Sequence, residues 1–278
     1  MREFYLKNAN GAKYDLTAVK KSFLHSVSGL GYEEDNSYQR VGNRFATLKS
    51  QLKQNVFDGI VQFWRQSGHQ EYQSFVKFCQ FKPITLVYNP LGNKEYYARG
   101  SVSKVDYDEK KPLQAAIKFT CTTPFFESVR VVTYPDDGGE YGKIYDYTYP
   151  YRYSSATQNN VTINVDSTVE SPCRLTLHGP LVNPEWRHYV NNVLVSTGIV
   201  NVTVPVNHHL VIDTTGDKLT IEEFDNLNQF VADRYQLSDF GTQRAVYLQF
   251  GQNRISVDDD GGNKVTVVAE GELYYASV

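Results

Sequence analysis

The sequence predicts a mainly β protein in which one amphipathic α-helix packs on antiparallel strands in the N-terminal half. Three observations favour this class. The chain holds 21 Tyr and 15 Phe residues, which suit pleated, half-buried surfaces. One clear helical pattern lies between strand-like runs. The C-terminal half carries short strands at regular spacing with turn residues between them, a pattern typical of a sandwich of two antiparallel sheets.

Length and charge exclude several classes of protein. A chain of 278 residues predicts about two domains, since a domain holds on the order of 150 residues. The formal net charge is -3, and the 28 basic residues are scattered, which argues against a nucleic-acid-binding surface. The sequence shows neither the apolar core of a signal peptide nor an 18-residue apolar run. We therefore expect a soluble protein that is made in the cytoplasm and has no membrane partner.

The three cysteines, Cys79, Cys121 and Cys173, lie far apart in apolar or alternating runs. An odd and sparse set of this kind predicts small buried side chains in a reducing compartment rather than a disulfide framework. The spacings also lack the Cys-x2-Cys pattern of a structural zinc site.

The N-terminal half alternates strand patterns with turn residues. Asn10-Gly11 predicts a tight turn between the first two strands. The alternation of Leu113, Ala115, Ile117, Phe119 and Cys121 predicts the clearest strand of the chain. The predicted strands of this half are 3–8, 13–16, 56–64, 84–88, 96–105 and 113–121, and residues 23–27 form a further short apolar stretch.

The clearest helix follows the strand at 56–64. Ser67 with Gln70 three residues later has the spacing of a capping box. Pro83 stops the pattern, because proline cannot continue the hydrogen-bond ladder of a helix. The apolar residues that share one face are Tyr72, Phe75, Val76 and Cys79. We predict that this face packs against strands and does not hold a cofactor.

Several positions predict local irregularity. Gly29 and Gly31 flank one leucine, which indicates a backbone that needs positive φ or a close approach. Residues 33–43 are polar and predict a mobile loop, while the periodicity around residues 45–52 fits a helix or a strand equally. Gly59 interrupts an apolar run and predicts a β-bulge.

The predicted domain boundary lies in the Tyr- and Gly-rich connector 127–150, with one domain before it at 1–126 and another after it at 151–278. Pro135 and several glycines in the connector favour irregular structure, with room for one hairpin. From Val161 onward, eight or nine short strands alternate with turns such as Asn191-Asn192 and 215–217. This spacing predicts the C-terminal β-sandwich.

The ordered motifs of the N-terminal half resemble the distal tail protein family of long-tailed, siphovirus-type phages. The pieces are FYLKNANGAKYDL, SGLGY at 28–32, Gln54 to Phe63 with its central Asp-Gly, the helix EYQSFVKFCQF, LVYNP, YYARGSVSKVDY, and the closing IKFTCTTPFF. Short apolar strands are common, but their order over 126 residues is specific. The motifs cover about half of the chain, and the spacing of a second β-sandwich extends the resemblance over the rest.

The resemblance implies a β-barrel-like or sandwich-like N-terminal domain that forms a hexameric ring continuing the tail tube, and a galectin-like C-terminal domain. It implies a structural virion component at the phage tail tip. The implied partners are further copies of the chain, the tail tube protein, a tail-associated tip protein, and receptor-binding or other baseplate proteins. Ring formation needs a heterologous interface whose rotation closes, and edge strands can supply one.

The candidate contact residues lie in the segment HGPLVNPEWRHYV. His178, Glu185 and His188 flank Trp186, so a metal or sugar site is conceivable. No ligand set with metal spacing is present, however, and packing of Trp186 and Tyr189 against the sandwich is the favoured interpretation. Trp186 and Tyr189 remain the candidates for contact with a saccharide or a partner protein.

Other possible sites have simpler interpretations. The acidic run at 258–263 lacks the glutamate of an EF-hand, which favours a hairpin turn over a calcium loop. His208-His209 and Glu222-Glu223 are adjacent in strand patterns, so each pair points to opposite faces. The common nucleotide-binding and hydrolase motifs are absent. We therefore expect no catalytic residues, metal or cofactor.

The leading functional hypothesis is a structural hub of a phage tail. The alternative hypothesis is a carbohydrate-binding module that recognises saccharide of the host cell wall through Trp186 or a tyrosine-lined face. A wall hydrolase has the least support, since no pair of carboxylates has the arrangement of a glycosidase.

Overall fold

A computed structural model describes residues 2–17, 22–64, 68–90, 94–107, 113–134, 159–167 and 169–278. These residues form mostly β-strands, with one α-helix and a single 3-10 turn at Tyr235–Leu237. The predicted mainly β class with one helix is therefore confirmed. The chain divides into two compact units, Met1–Glu127 with Tyr274–Val278, and Ser128–Leu273.

The elements of the first unit follow the predicted order closely. They are β1 Glu3–Lys7, β2 Lys13–Asp15, β3 Ser22–Ser28, β4 Glu34–Val41, β5 Arg44–Leu52, β6 Val56–Phe63, α1 Gly68–Cys79, β7 Ile84–Asn89, β8 Tyr96–Tyr107 and β9 Gln114–Cys121. The next strand, β10 Phe125–Thr133, begins in this unit and continues into the second.

The strands of the first unit form an antiparallel sheet in the order β2-β1-β7-β8-β9-β6-β3. Within the described residues β2 and β3 do not pair, although one backbone hydrogen bond of 2.8 Å runs from Leu24 N to Leu16 O. The sheet is consequently not a closed barrel, which corrects the barrel-like form that the resemblance implies. The N-terminal hairpin is as predicted, with β1 paired to β2.

The helix occupies the predicted place. It ends at Cys79, before Pro83, and the predicted cap Ser67 lies outside the described residues. Phe75 and Cys79 of the predicted face are buried, together with Phe78, which the pattern did not include. Their burial removes apolar side chains from water and stabilises the packing of the helix on the sheet.

The aromatic rings of the helix meet rings of the sheet and its first hairpin. The Phe75 ring lies 5.0 Å from Tyr14 and 6.1 Å from Phe63, measured between centroids. The Tyr72 ring lies 4.8 Å from Tyr107 at the end of β8. Such pairs contribute beyond the area that they bury, so α1 is a structural element of the first unit.

Residues 33–43, predicted as a mobile loop, instead belong to a regular two-stranded sheet. β4 pairs with β5 from Glu34 opposite Leu52 to Val41 opposite Arg44. The segment 45–52, which fitted a helix or a strand, is therefore a strand. We call this hairpin, residues 34–52, the β4–β5 hairpin.

A β-bulge was predicted at Gly59 in β6, but the irregularity lies in the neighbouring strand. β6 is regular at Gly59, and the irregularity lies opposite it in β3, between His25 and Ser28. A Cβ on Gly59 would meet the side chain of Leu24 at 2.7 Å, so the glycine makes room for the irregular strand. Gly29 has the predicted positive φ of +88°, whereas Gly31 does not.

The compact units do not coincide with the predicted segments. β10 covers residues assigned to the beginning of the connector, and residues 274–278 belong to the first unit rather than to the C-terminal domain. Most of the predicted connector, residues 135–150, lies outside the described part of the chain. The functional division into ring domain, connector and sandwich stays a prediction.

The second unit contains two larger antiparallel sheets. One has the order β19-β18-β17-β12-β22, with the second-unit part of β10 beside β22, and the other has the order β11-β21-β14-β15. The strands are β11 Asn159–Val165, β12 Ser171–His178, β13 Leu181–Val182, β14 Glu185–Val190, β15 Val193–Ile199, β16 Thr203–Val204, β17 His209–Asp213, β18 Thr220–Phe224, β19 Phe230–Asp233, β20 Tyr247–Leu248, β21 Gly251–Asp258 and β22 Thr266–Tyr275.

Alternation along these strands separates a core face from an outer face. On β12, Leu175 and Leu177 are buried while Arg174 and His178 are exposed. The same alternation recurs on β11, which matches the predicted spacing of short sandwich strands. The galectin-like topology that the resemblance implies stays a prediction.

Candidate interaction surfaces

The structure places Trp186 in the core. The residue lies on β14, its side chain has no exposed surface, and its Nε1 donates a hydrogen bond of 3.0 Å to the carbonyl of Arg244. A buried indole presents no face to a ligand, in keeping with the favoured packing interpretation. Tyr189 is half-buried on the same strand, with the guanidinium of Arg254 4.2 Å from its ring centroid. Its contact with a saccharide or partner stays a prediction.

The histidines and glutamate that flank Trp186 do not converge. His178 lies on β12, in the sheet opposite to the one that holds Glu185 and His188. Glu185 accepts a hydrogen bond of 2.7 Å from Arg187. Throughout the described ranges, no group of three or more His, Cys, Asp or Glu side chains could hold a metal ion.

The acidic run at 258–263 is a structural turn rather than an open cation loop. The carboxylate of Asp259 accepts hydrogen bonds from the backbone N–H of Val182 (2.6 Å), Gly261 (3.0 Å) and Asn263 (3.1 Å). Burial raises the pKa of Asp259, but these donors outweigh it and hold the pKa below its ordinary value. The turn joins β21 to β22, which lie in different sheets, so the predicted hairpin pairing is wrong.

The adjacent pairs 208–209 and 222–223 separate as predicted. Glu223 is buried. Its carboxylate accepts a hydrogen bond of 2.9 Å from Arg234 Nε and lies 2.7 Å from His208 Nδ1. Burial raises the pKa of Glu223, but these two partners outweigh it and lower the pKa. His209 and Glu222 point to the other side of the sheet, where they line a groove.

The β4–β5 hairpin is exposed on both faces. Nearly every residue of the two strands is accessible, and four large apolar side chains are more than half exposed: Tyr38, Val41, Phe45 and Leu48. The cross-strand register places Tyr38 opposite Thr47 and Phe45 opposite Arg40, so the two rings share one face of the hairpin. Sequence reasoning missed this surface, because a strand without a buried face shows no hydrophobic alternation.

The second unit carries a groove of about 520 Å³ on the outer face of the sheet β19-β18-β17-β12-β22. Its floor includes Thr176, Val211 and Val268, which lie side by side on β12, β17 and β22. Charged and polar side chains of neighbouring strands surround this floor. We call this site the sheet groove.

Two ion pairs occupy one end of the sheet groove. Arg174 Nε donates a hydrogen bond of 2.7 Å to Asp213, and Arg130 Nε lies 2.9 Å from Glu270. Burial raises the pKa of Asp213, but hydrogen bonds from Thr215 and Arg174 outweigh it and hold the pKa below its ordinary value. These charges are therefore balanced within the protein.

The other end of the groove carries two histidines and an aromatic ring. His178 lies opposite His209 with 5.4 Å between ring centroids, and His209 stacks on Phe224 at 5.7 Å. Burial lowers the pKa of both histidines, and the proximity of His178 lowers that of His209 further. Both imidazoles are consequently neutral at pH 7.

Comparison with known proteins gives a family match for the N-terminal part of the chain. Residues 3–122 match the model of the distal tail protein N-terminal domain. Over these residues the chain is similar to the distal tail proteins, which are structural proteins of phage tails, as the ordered motifs of this half indicated. A search of curated proteins gave no match.

Two kinds of solved structure share the fold. The chain is similar to one in the phage P2 baseplate in its activated conformation with Ca, at 15% identity and a TM-score of 0.56, with 97% of this chain and 98% of that chain covered. It is similar to the SPP1 Dit protein at 8% identity and a TM-score of 0.62, with 96% and 98% covered. Among the described residues, no helix is long and apolar enough to cross a membrane.

Proposed function

We propose that this protein is the subunit of a distal tail hub, a ring that joins the tail tube to the tail tip. Six copies form the ring, as the family implies, and the ring carries receptor-binding or other baseplate proteins through the second unit. The protein is a virion component, synthesised in the host cytoplasm, and performs no catalysis. The SPP1 Dit protein is described as a paradigm of the hub adsorption apparatus in phages that infect Gram-positive bacteria, which supports this role.

The exposed β4–β5 hairpin carries the proposal. A two-stranded hairpin without a packing partner is at most marginally stable in water. This hairpin nevertheless keeps regular pairing over 34–52 while exposing Tyr38 and Phe45 on one face. A contact with the next copy of the chain would cover these rings, and the hydrophobic gain would stabilise both the hairpin and the assembly.

The sheet of the first unit offers a second element for ring contacts. β2 and β3 are its end strands, and apart from the hydrogen bond from Leu24 N to Leu16 O no strand pairs along their outer edges within the described residues. Unpaired edges present backbone N–H and C=O groups that another chain can complete. An exposed hairpin and an edge strand are two different surfaces, and contact between two different surfaces is what a heterologous, ring-forming interface requires.

The test measures the mass of the assembly with and without the hairpin surface. The wild-type chain, 31.7 kDa, is examined by light scattering and negative-stain electron microscopy, alone and with the tail tube protein. We expect a closed ring. The double variant Tyr38→Ser, Phe45→Ser is expected to lose the ring and remain folded, whereas Ser37→Ala, Lys49→Ala on the same hairpin is expected to keep it.

Two results would contradict the proposal. A wild-type chain that stays monomeric at high concentration and beside the tail tube protein would exclude a ring-forming hub. A ring that forms equally well with Tyr38 and Phe45 replaced would exclude the β4–β5 hairpin as its interface. Circular dichroism of each variant confirms that the fold is intact, so that loss of assembly is not mistaken for unfolding.

A further inference from the structure

We propose that the sheet groove of the second unit binds a neutral saccharide. Glu222, Asn228, His178 and His209 form hydrogen bonds with its hydroxyl groups, and Phe224 beside His209 receives its apolar face. This site is separate from the predicted contact pair Trp186 and Tyr189, and the inference does not depend on the ring.

The strand register assembles the site from residues that are distant in sequence. His178 on β12, His209 on β17 and Phe224 on β18 are direct cross-strand neighbours and form one row across the sheet. Thr176, Val211 and Glu222 form the next row. Because paired residues point to the same face, both rows line the groove together. Asn228, in the turn before β19, adds an amide at the side.

The hydrogen-bonding groups of these side chains are available to a ligand. Within the described residues, neither Glu222 nor Asn228 makes a side-chain hydrogen bond, and the rings of His178 and His209 make ring contacts but no hydrogen bonds. By contrast, Asp213 accepts bonds from Arg174 and Thr215. A carboxylate, an amide and two neutral imidazoles supply both donors and acceptors, which is what vicinal hydroxyl groups require.

The charge of the groove favours a neutral ligand. Arg174 is paired with Asp213, and Arg130 is paired with Glu270, so neither guanidinium is left uncompensated for an anion. Glu222 adds one negative charge without a cationic partner in the groove. An anionic ligand such as a phosphate would therefore be repelled, while a neutral polyhydroxyl ligand would not.

The shape and the apolar surface fit one or two sugar rings. Ligand sites of small molecules have volumes of roughly 300–1,000 Å³, and the sheet groove, at about 520 Å³, lies within that range. The rings of His209 and Phe224, stacked with an angle of 16° between their planes, add aromatic surface to the groove. The C–H face of a pyranose is apolar and packs on such a surface, while its hydroxyl groups reach the polar row.

The experiment titrates the full-length protein with neutral saccharides and with inorganic phosphate. The probes are glucose, galactose, N-acetylglucosamine and their β-linked disaccharides. Binding is measured by saturation-transfer NMR and calorimetry. We expect at least one of these saccharides to bind and phosphate not to bind. Glu222→Ala is expected to weaken binding by about tenfold or more, because hydrogen bonds to a charged group are among the stronger ones.

Matched variants separate binding from folding. Asn228 has a positive φ of 59°, so Asn228→Gly removes the amide without backbone strain and is expected to weaken binding as well. Asp217→Ala, an exposed acid in the turn between β17 and β18, and Asn226→Ala, two residues before Asn228, should bind as the wild type does. If Glu222→Ala fails to fold, Asn228→Gly and His209→Ala still test the site.

Three results would overturn the inference. The first is the absence of binding to every saccharide of the panel, and the second is binding that the groove variants leave unchanged. The third is preferential binding of phosphate. Because the ring assembly is measured by mass and this site by ligand titration, failure of one proposal is distinguishable from failure of the other.

Discussion

Gly198 lies directly opposite Trp186 in the pairing of β14 with β15, and the indole occupies the space where a side chain of Gly198 would be. A Cβ on Gly198 would lie 2.8 Å from Cη2 of the indole and nearer still to Cε2 and Cζ2. Trp186 is fully buried and donates its Nε1–H to Arg244. Gly198 therefore leaves room for the indole, since a glycine within a strand commonly marks the close approach of another group.

Gly198→Ala is therefore expected to destabilise the second unit by about 1–3 kcal/mol or more, the typical cost of overpacking a filled core. Gly216→Ala is the matched control, because its Cβ would meet nothing nearer than Lys218 O at 3.9 Å. The free energy of unfolding of both variants is measured by urea denaturation. Equal values for Gly198→Ala and the wild type would show that the indole can move aside without cost.

Phe75→Ala is expected to destabilise the first unit by about 3–5 kcal/mol, because it removes a large and fully buried ring between Tyr14 and Phe63. Ser74→Ala is the control on the same helix. Ser74 is exposed and its hydroxyl bonds only to the carbonyl of Gln70, so alanine there should be neutral or slightly stabilising. The same urea experiment applies, and a stable Phe75→Ala variant would contradict the role of α1 as a packed structural element.

The features that the sequence predicted correctly are those with a buried face. Strand β9 shows the alternation of Ala115, Ile117, Phe119 and Cys121 because each of these side chains faces the core. The helix face of Phe75 and Cys79 was predictable for the same reason. Where one side of a helix or strand faces the core, the buried positions must be apolar, so apolar residues recur in the sequence with the period of that element.

The β4–β5 hairpin and the sheet groove could not be predicted from such a periodic pattern. The β4–β5 hairpin has no buried face, so its polar first strand resembled a loop. The sheet groove combines Arg130, Asn228 and Glu270 with residues of three further strands, and only the strand register brings them together. Adjacency across a sheet depends on pairing over long sequence separations, which the pattern along one strand does not contain.

All three cysteines are expected to be unreactive in the native protein. Cys79, Cys121 and Cys173 are free and buried, and burial raises the pKa of each thiol to about 12. The thiolate is the reactive form, so reaction with a disulfide reagent at pH 8 should be slow. The same reagent in urea should titrate all three thiols rapidly. A thiol that reacts at once in the folded protein would place that cysteine at an accessible surface.

His188 makes the stability of the second unit depend on pH. Its side chain is 1% exposed, and Nε2 lies 3.0 Å from Asn253 Oδ1. Because Oδ1 of Asn253 accepts, the neutral ring donates this bond from Nε2. Burial lowers the pKa of His188, and the bond to Asn253 offsets this only in part. The folded chain consequently resists a proton that the unfolded chain accepts near pH 6.5.

The unfolded state thus binds more protons than the native state once the pH falls below about 6.5, and the free energy of unfolding should decrease from pH 7 to pH 5. His178 and His209 act in the same direction. His188→Gln keeps an amide donor for Asn253 and cannot titrate, so the decrease between pH 7 and pH 5 should be smaller in this variant. Urea denaturation at each pH measures the free energy of unfolding of the variant and of the wild type. Identical pH dependence in the variant and the wild type would show that His188 takes up its proton equally well in both states.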